Sequence, residues 1–316
     1  MLEDNEVFIH IGLPKTATTF FQKEVFPRIQ NIKLIQTPFT QYNEAFNSIQ
    51  YADETIYNED VVKEELAKYK EFKKILISEE SFSGATLSIN GLNRSQNANR
   101  LKKLLPNARI ILFLRGQKNI LYSMYNQYVR THNGTRRLGL FFRFPTANSF
   151  YFRENFNELT KESFINFLPN HSHLDLFKYY NLIKLYKSLF EKVDVFLYED
   201  FCLNPNDTLI SFESIFKEPI LNPETINFEK KTNNSVKKEQ IERQIFFNKT
   251  NFIFRKKNIA NLFFFIYRLK FNSSFLEKET EFINKTIKNY FKEDNKKIIQ
   301  EFKEIKINSF PENYDF

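Results

Sequence analysis

Tryptophan is absent from this chain of 316 residues, cysteine occurs once and glycine six times. The single cysteine, Cys202, excludes an intrachain disulfide and any metal site built on several thiolates. With so few glycines the chain contains neither the G-x-x-x-x-G-K-S/T loop of ATP-binding proteins nor a G-x-G-x-x-G dinucleotide fingerprint. Its four histidines, His10, His132, His171 and His173, have no metal-like spacing with Asp, Glu or Cys, so no metal is expected. Long apolar runs are also missing. The nearest, Ile259 to Tyr267, falls well short of the roughly 18 residues a spanning helix needs. It reads as a packing helix, or as a peripheral contact with the inner face of a membrane. Met1 to Val7 holds three acidic residues and no apolar stretch, unlike a secretory signal, so a cytoplasmic protein is expected.

What is present is a basic, phenylalanine-rich chain. The formal charge is +8, and the 38 phenylalanines read as a compositional bias rather than as a set of individual signals. Lys and Arg are scattered in pairs such as Lys73-Lys74 and Lys237-Lys238, and no nucleic-acid-binding motif accompanies them. A charged nucleotide, a membrane or another polyanion fits this balance; nucleic acid is not the expected partner.

Four apolar, β-branched runs, Val7-Ile11, Ile75-Ile77, Ile110-Leu114 and Val193-Leu197, alternate with helical patterns. Continuous apolar strands of this kind predict a parallel sheet covered on both faces, an α/β fold of three layers. Helices are expected over Asp60 to Tyr69, Ser95 to Leu105, Asn119 to Arg130 and Leu176 to Phe190. Residues 1–229 form the expected core, with an aromatic-rich insertion near 134–170. Residues 230–316 are expected to add a loop and a helical C-terminal extension, including helices over Val236 to Thr250, Asn258 to Phe271 and Ser274 to Phe302.

The strongest local signal follows the first strand: Gly12-Leu13-Pro14-Lys15-Thr16-Ala17-Thr18-Thr19. A strand ending at Gly12 and a helix starting near Thr18 aim backbone N–H groups at one point, and Lys15 adds charge there, which describes an anion site. The second signal is Arg115 after the strand Ile111-Leu114, with Ser123 eight residues on. A guanidinium fork at the carboxyl edge of a parallel sheet is suited to a phosphate.

These two segments resemble the phosphate-binding motifs of sulfotransferases that use 3′-phosphoadenosine 5′-phosphosulfate (PAPS); with the final helix, Asn284 to Phe302, similar to that of their bacterial carbohydrate-sulfotransferase branch, the resemblance spans nearly the whole chain. The family loop reads P-K-S/T-G-T-S/T. The resemblance implies a P-loop-like fold and a donor loop made by Pro14, Lys15, Thr16, Ala17, Thr18 and Thr19. It assigns the 3′-phosphate to Arg115 and Ser123, and a covering loop to Lys230, Lys231, Asn233 and Ser235. Ala17 stands where the family has glycine, which is acceptable at negative φ. Phe196-Leu197-Tyr198-Glu199-Asp200 resembles a family strand end at which Tyr198 and Asp200 organise the core and a following turn.

The activity so implied is transfer of a sulfuryl group from PAPS to a hydroxyl, or in second place an amine, of a carbohydrate or glycolipid. It leaves adenosine 3′,5′-bisphosphate and needs no metal. Lys15 would neutralise the leaving oxygen. For the base, Glu80 is the first choice, Glu79 the second and His132 the third, since Ile75-Ile77 leads into Ser78-Glu79-Glu80. His10 is expected in the core. A P-loop-type small-molecule kinase and a nonenzymatic polyanion-binding protein remain as alternatives.

Overall fold

The computed structural model describes residues 2, 5–36, 44–84, 93–121, 123–124, 173–228 and 289–314. The chain divides into two compact units. The first comprises Met1–Gly116, Lys178–Thr232 and Asp294–Phe310; the second comprises Gln117–Phe177, Asn233–Glu293 and Pro311–Phe316.

The first unit is an α/β fold built on a parallel sheet. Its strands are β1 (Glu6–His10), β2 (Lys33–Gln36), β3 (Lys74–Ser78), β4 (Arg109–Leu114) and β5 (Lys192–Leu197), ordered β2-β3-β1-β4-β5. Four of them coincide with the expected apolar runs. The fifth, β2, has only Leu34 and Ile35 between Lys33 and Gln36, too short a pattern to read without its pairing to β3. Because β1 is central, with β3 and β4 on either side, the segments after these three strands emerge together at the carboxyl edge.

Side chains alternate between the two faces of the sheet. Phe8, Leu76, Ile111 and Phe113 enter one aromatic cluster with Phe20, Phe21 and Phe26, and with Phe201, Phe212 and Phe216. These come from α1 (Thr18–Phe20) and the π and 3-10 turns that continue it to Arg28, and from α6 (Tyr198–Leu203) and α7 (Pro205–Phe216). The alternate residues, including Ile9, Ile77, Ile110 and Leu112, are buried on the other face. The remaining helices are α2 (Glu44–Tyr51), α3 (Glu59–Ala67), α4 (Arg94–Leu104), α5 (Tyr180–Leu189) and α8 (Lys292–Glu301). Among the described residues no helix is long and apolar enough to cross a membrane.

Local chemistry sets the helix ends. Asn58 caps α3 by accepting the Asp60 N–H at 3.0 Å, and Val62 and Leu66, one turn apart, are buried. α5 begins at Tyr180 rather than at Leu176 because the Asp294 carboxylate of α8 accepts the Tyr180 N–H at 3.1 Å. The insertion at 134–170 and the helices expected over Val236 to Thr250 and Asn258 to Phe271 lie outside the described residues. Of Ser274 to Phe302, α8 is the described helical part.

His10 closes β1 and is fully buried. Its Nδ1 lies 2.9 Å from the Ser78 hydroxyl, and Gln22 donates to the same hydroxyl at 3.1 Å and to the Ser78 carbonyl at 3.2 Å. The rings of Phe21, Phe26 and Phe113 meet it edge-on. Burial lowers its pKa to about 3, so the imidazole is neutral. The unfolded chain protonates near 6.5 and the folded one near 3, so His10 contributes stability above 6.5 that is lost as pH falls through that window. Urea titrations across it should show His10→Phe gaining on the native chain toward low pH, by on the order of 4 kcal/mol at the acid end. A constant difference between the two would show that His10 does not set the acid limb.

Candidate functional site

The loop between β1 and α1 is shaped by contacts its own sequence makes. A Cβ on Gly12 would stand 2.7 Å from the Thr18 hydroxyl and 3.2 Å from the His10 ring, so only glycine fits. The Thr16 hydroxyl donates to the Leu13 carbonyl at 2.6 Å, and the Thr18 hydroxyl reaches the same oxygen at 3.5 Å. Both are buried, so these hydroxyls build the turn, while Pro14, Lys15, Ala17 and Thr19 are half-buried. Lys15 and Ala17 have φ of 70° and 67°, with Thr16 between them outside that region. Left-handed residues on either side of one outside that region are the kind of backbone from which an anion nest is built. The expected negative φ at Ala17 is therefore corrected. The N–H groups of Phe20 and Phe21 both donate to the Ala17 carbonyl, and the left-handed conformation that aims it carries a steric cost of about 1 kcal/mol.

Arg115 follows β4 and reaches across to this loop. Its Nη1 donates to the Lys15 carbonyl at 2.6 Å, and the guanidinium lies 4.2 Å from the Tyr198 ring centroid. Its Nε is buried with no hydrogen-bond partner among the described residues. Both sides of the following peptide are held: the Tyr179 hydroxyl donates to the Arg115 carbonyl at 2.7 Å, and the Glu199 carboxylate accepts the Gly116 N–H at 3.0 Å. The expectation that Asp200, with Tyr198, organises the core and a following turn is corrected as regards the core. Asp200 is exposed, and a helical rotation in α6 makes its buried neighbour Glu199 the group that meets β4.

The two glutamates after β3 diverge. Glu79 is buried and caps the 3-10 turn Glu80–Ser83: its carboxylate accepts the Ser81 N–H at 2.9 Å. Burial raises its pKa. Glu80 turns toward the loop, where its carboxylate interacts with the Lys15 charge and accepts the Lys15 backbone N–H. Burial outweighs that attraction and pushes the Glu80 pKa up to about 7. The turn is pinned through its carbonyls: Asn97 donates to Ser81 at 3.1 Å, Tyr186 to Phe82 at 3.0 Å and Arg94 to Ser83 at 2.8 Å.

The structure thus brings together Lys15, Glu80 and Arg115, with Glu79 behind them. Ser123 is half-buried in the helical stretch of the second unit, where Ile120 and Met124 are buried. His132, Lys230, Lys231, Asn233 and Ser235 lie outside the described residues. Sequence reasoning missed Tyr179, Tyr186 and Glu199, whose partners lie far along the chain, and Arg94, whose contact with the Ser83 carbonyl leaves no local pattern. Among the described residues no group of three His, Cys, Asp or Glu side chains is gathered to hold a metal.

No family model and no curated protein matches this chain. Several solved structures bear a likeness to it, among them three sulfotransferases. A sulfotransferase from Alicyclobacillus acidocaldarius is 14% identical, with a TM-score of 0.46, over 81% of this chain and 99% of that one. The mouse sulfotransferase SULT7A1 complexed with PAP is 14% identical, with a TM-score of 0.40, over 96% and 89%. The sulfotransferase domain from the curacin biosynthetic pathway is 12% identical, with a TM-score of 0.35, over 69% and 75%. Likeness of this degree leaves the chemistry to be read from the site's own residues.

The loop's conformation yields a pair of opposite outcomes. Ala17→Gly should raise stability by about 0.5–1 kcal/mol, since glycine adopts positive φ without strain. Gly12→Ala should lower it by about 1–3 kcal/mol, since its Cβ overlaps Thr18. Thermal melts of both variants check this, and a destabilised Ala17→Gly protein would contradict the left-handed assignment.

Proposed function

We propose that this protein is a sulfotransferase that moves a sulfuryl group from PAPS to a hydroxyl of a carbohydrate or lipid-linked glycan. The observation that carries the reading is the meeting of Glu80 with Lys15 on a left-handed loop, closed by Arg115. The residues suit the donor. The nest and Lys15 match a phosphosulfate, and Arg115 offers a buried, unpartnered Nε suited to a phosphate oxygen. The likeness of Pro14-Lys15-Thr16-Ala17-Thr18-Thr19 and Arg115 to the family motifs supports PAPS as the donor.

The donor supplies an activated sulfur whose bond to the 5′-phosphate oxygen breaks as the acceptor oxygen bonds to it. Lys15 neutralises charge that develops on the departing oxygen, where an ammonium stabilises the transition state more than the ground state. Glu80 accepts the acceptor's proton. With a pKa near 7 it is ionised about half the time at neutral pH and is a stronger base than an ordinary carboxylate. Glu79, committed to its cap, leaves that task to its neighbour. Aromatic residues of the 134–170 segment suit a sugar ring, which supports a glycan acceptor at the cytoplasmic face of a membrane.

The test is sulfation of an oligosaccharide panel with PAPS, set against ATP with Mg²⁺. Lys15→Ala and Glu80→Gln should each lower kcat by about 10²-fold or more while the fold is kept. In the native enzyme kcat/KM should rise with pH through about 7 as Glu80 loses its proton, and Glu80→Gln should flatten that limb. Arg115→Ala should weaken adenosine 3′,5′-bisphosphate by roughly 2–4 kcal/mol and reduce its preference over AMP. Turnover with ATP and Mg²⁺ alone would replace this reading with a kinase. Donor binding without any product would leave a nucleotide-binding protein.

A further inference from the structure

The helix α5 contributes no charged group to the site, yet two of its hydroxyls end on the backbone beside the two residues that matter most. Tyr179, at its N-cap, donates to the carbonyl of Arg115 at 2.7 Å. Tyr186 donates to the carbonyl of Phe82, within the turn that carries Glu80, at 3.0 Å. Both side chains are fully buried. Residues seven apart fall on the same helical face, separated by two turns, or about 10 Å of rise. That matches in scale the two interstrand spacings, also about 10 Å, between β3 and β4 across the central β1.

A buried tyrosine needs a partner, and any carbonyl would serve for stability alone. The choice of carbonyls here is specific. Strand ladders do not hold these peptides: Arg115 directly follows β4, and Phe82 lies in the 3-10 turn beyond β3. Arg94 of α4 completes the arrangement. Its Nε donates to the Ser83 carbonyl of the same turn at 2.8 Å. The Phe82 carbonyl receives Asn97 as well, at the longer distance of 3.4 Å.

We infer that Tyr179 and Tyr186 are positioning residues, and that α5 works as a spacer fixing the Glu80 turn relative to Arg115. The two ends have separate tasks. Tyr186 keeps the Glu80 turn closed against water, and Tyr179 keeps the Arg115 backbone at the depth from which the guanidinium reaches the loop. The inference rests on the sulfotransferase reading for what those residues do, while the spacing itself can be tested in the protein without ligand.

The variants are Tyr179→Phe and Tyr186→Phe, which retain the packed rings. Three quantities are read: the titration midpoint of Glu80 by carbon-13 NMR, the Kd for adenosine 3′,5′-bisphosphate by calorimetry, and Tm. Tyr186→Phe should lower the Glu80 midpoint from about 7 by about half a unit as water enters the turn, leaving Kd within about twofold. Tyr179→Phe should raise Kd about fivefold to tenfold and leave the Glu80 midpoint in place. Variants that lose Tm with neither quantity changed, or that change both quantities alike, would overturn the assignment. If the native protein binds no nucleotide, the sulfotransferase reading fails by itself. The Glu80 midpoint then decides: moved by Tyr186→Phe alone it upholds the spacer, and moved by both or by neither it ends it.

Discussion

One hydrogen bond holds the site in its shape: Arg115 Nη1 to the Lys15 carbonyl, across 100 residues of sequence. It is possible because β1 and β4 are parallel neighbours, so the residues that follow them leave the sheet on the same side. The bond faces the Lys15 carbonyl toward Arg115, and the left-handed backbone at Lys15 turns its N–H toward Glu80. A single peptide segment is thus contacted by a cation through its carbonyl and by a carboxylate through its amide. With the oppositely charged groups separated by main chain, the guanidinium and the carboxylate do not collapse onto each other.

The same edge holds two titratable groups that burial drives toward neutrality from opposite directions. His10 loses its proton readily and Glu80 keeps its own up to about 7. For His10 the folded pKa is lowered, and stability is lost toward acid. For Glu80 it is raised from 4.5, so stability is present below 4.5 and lost as pH rises through about 7. Between 4.5 and 6.5 the two slopes oppose each other, which flattens the pH dependence that either would impose alone. Desolvation is the common cause. It also explains why the ammonium of Lys15 does not give Glu80 an ordinary carboxylate pKa.

Much of this was legible in the sequence, for physical reasons that also mark where legibility ends. The three central runs, β1, β3 and β4, read as strands because strands buried on both faces need continuous apolar residues; β5 was legible at one edge from its own apolar stretch, whereas β2 at the other edge has only Leu34 and Ile35. The turn after Gly12 was legible because strand, lysine and threonines lie within a few residues of each other. Its backbone was not: alanine at Ala17 argued for negative φ, and the loop instead bears a left-handed residue. Glu79 and Glu80 could be set on opposite sides by strand alternation, while which of them faced Lys15 depended on a cap formed only in the folded turn. Tyr179 and Tyr186 left no local trace, because their partners lie 64 and 104 residues away.

The phenylalanines, which as composition say little, acquire meaning from where they cluster. On one face of the sheet the helical run after the loop is anchored by Phe20, Phe21 and Phe26 in a cluster with Phe113 and Phe212. On the other, the Glu80 turn is fixed by hydrogen bonds from Asn97, Tyr186 and Arg94. The two attachments differ in kind. Apolar burial is strong but non-directional, so it holds the loop's helix in place without dictating the angle of any one group. Hydrogen bonds to successive carbonyls are directional and set the orientation of a peptide. Anion binding by a loop of backbone amides needs mainly a rigid concavity, which the aromatic cluster supports. The proton transfer proposed for Glu80 would need a carboxylate held in position and in register, and that is the part of the edge where the polar contacts are concentrated.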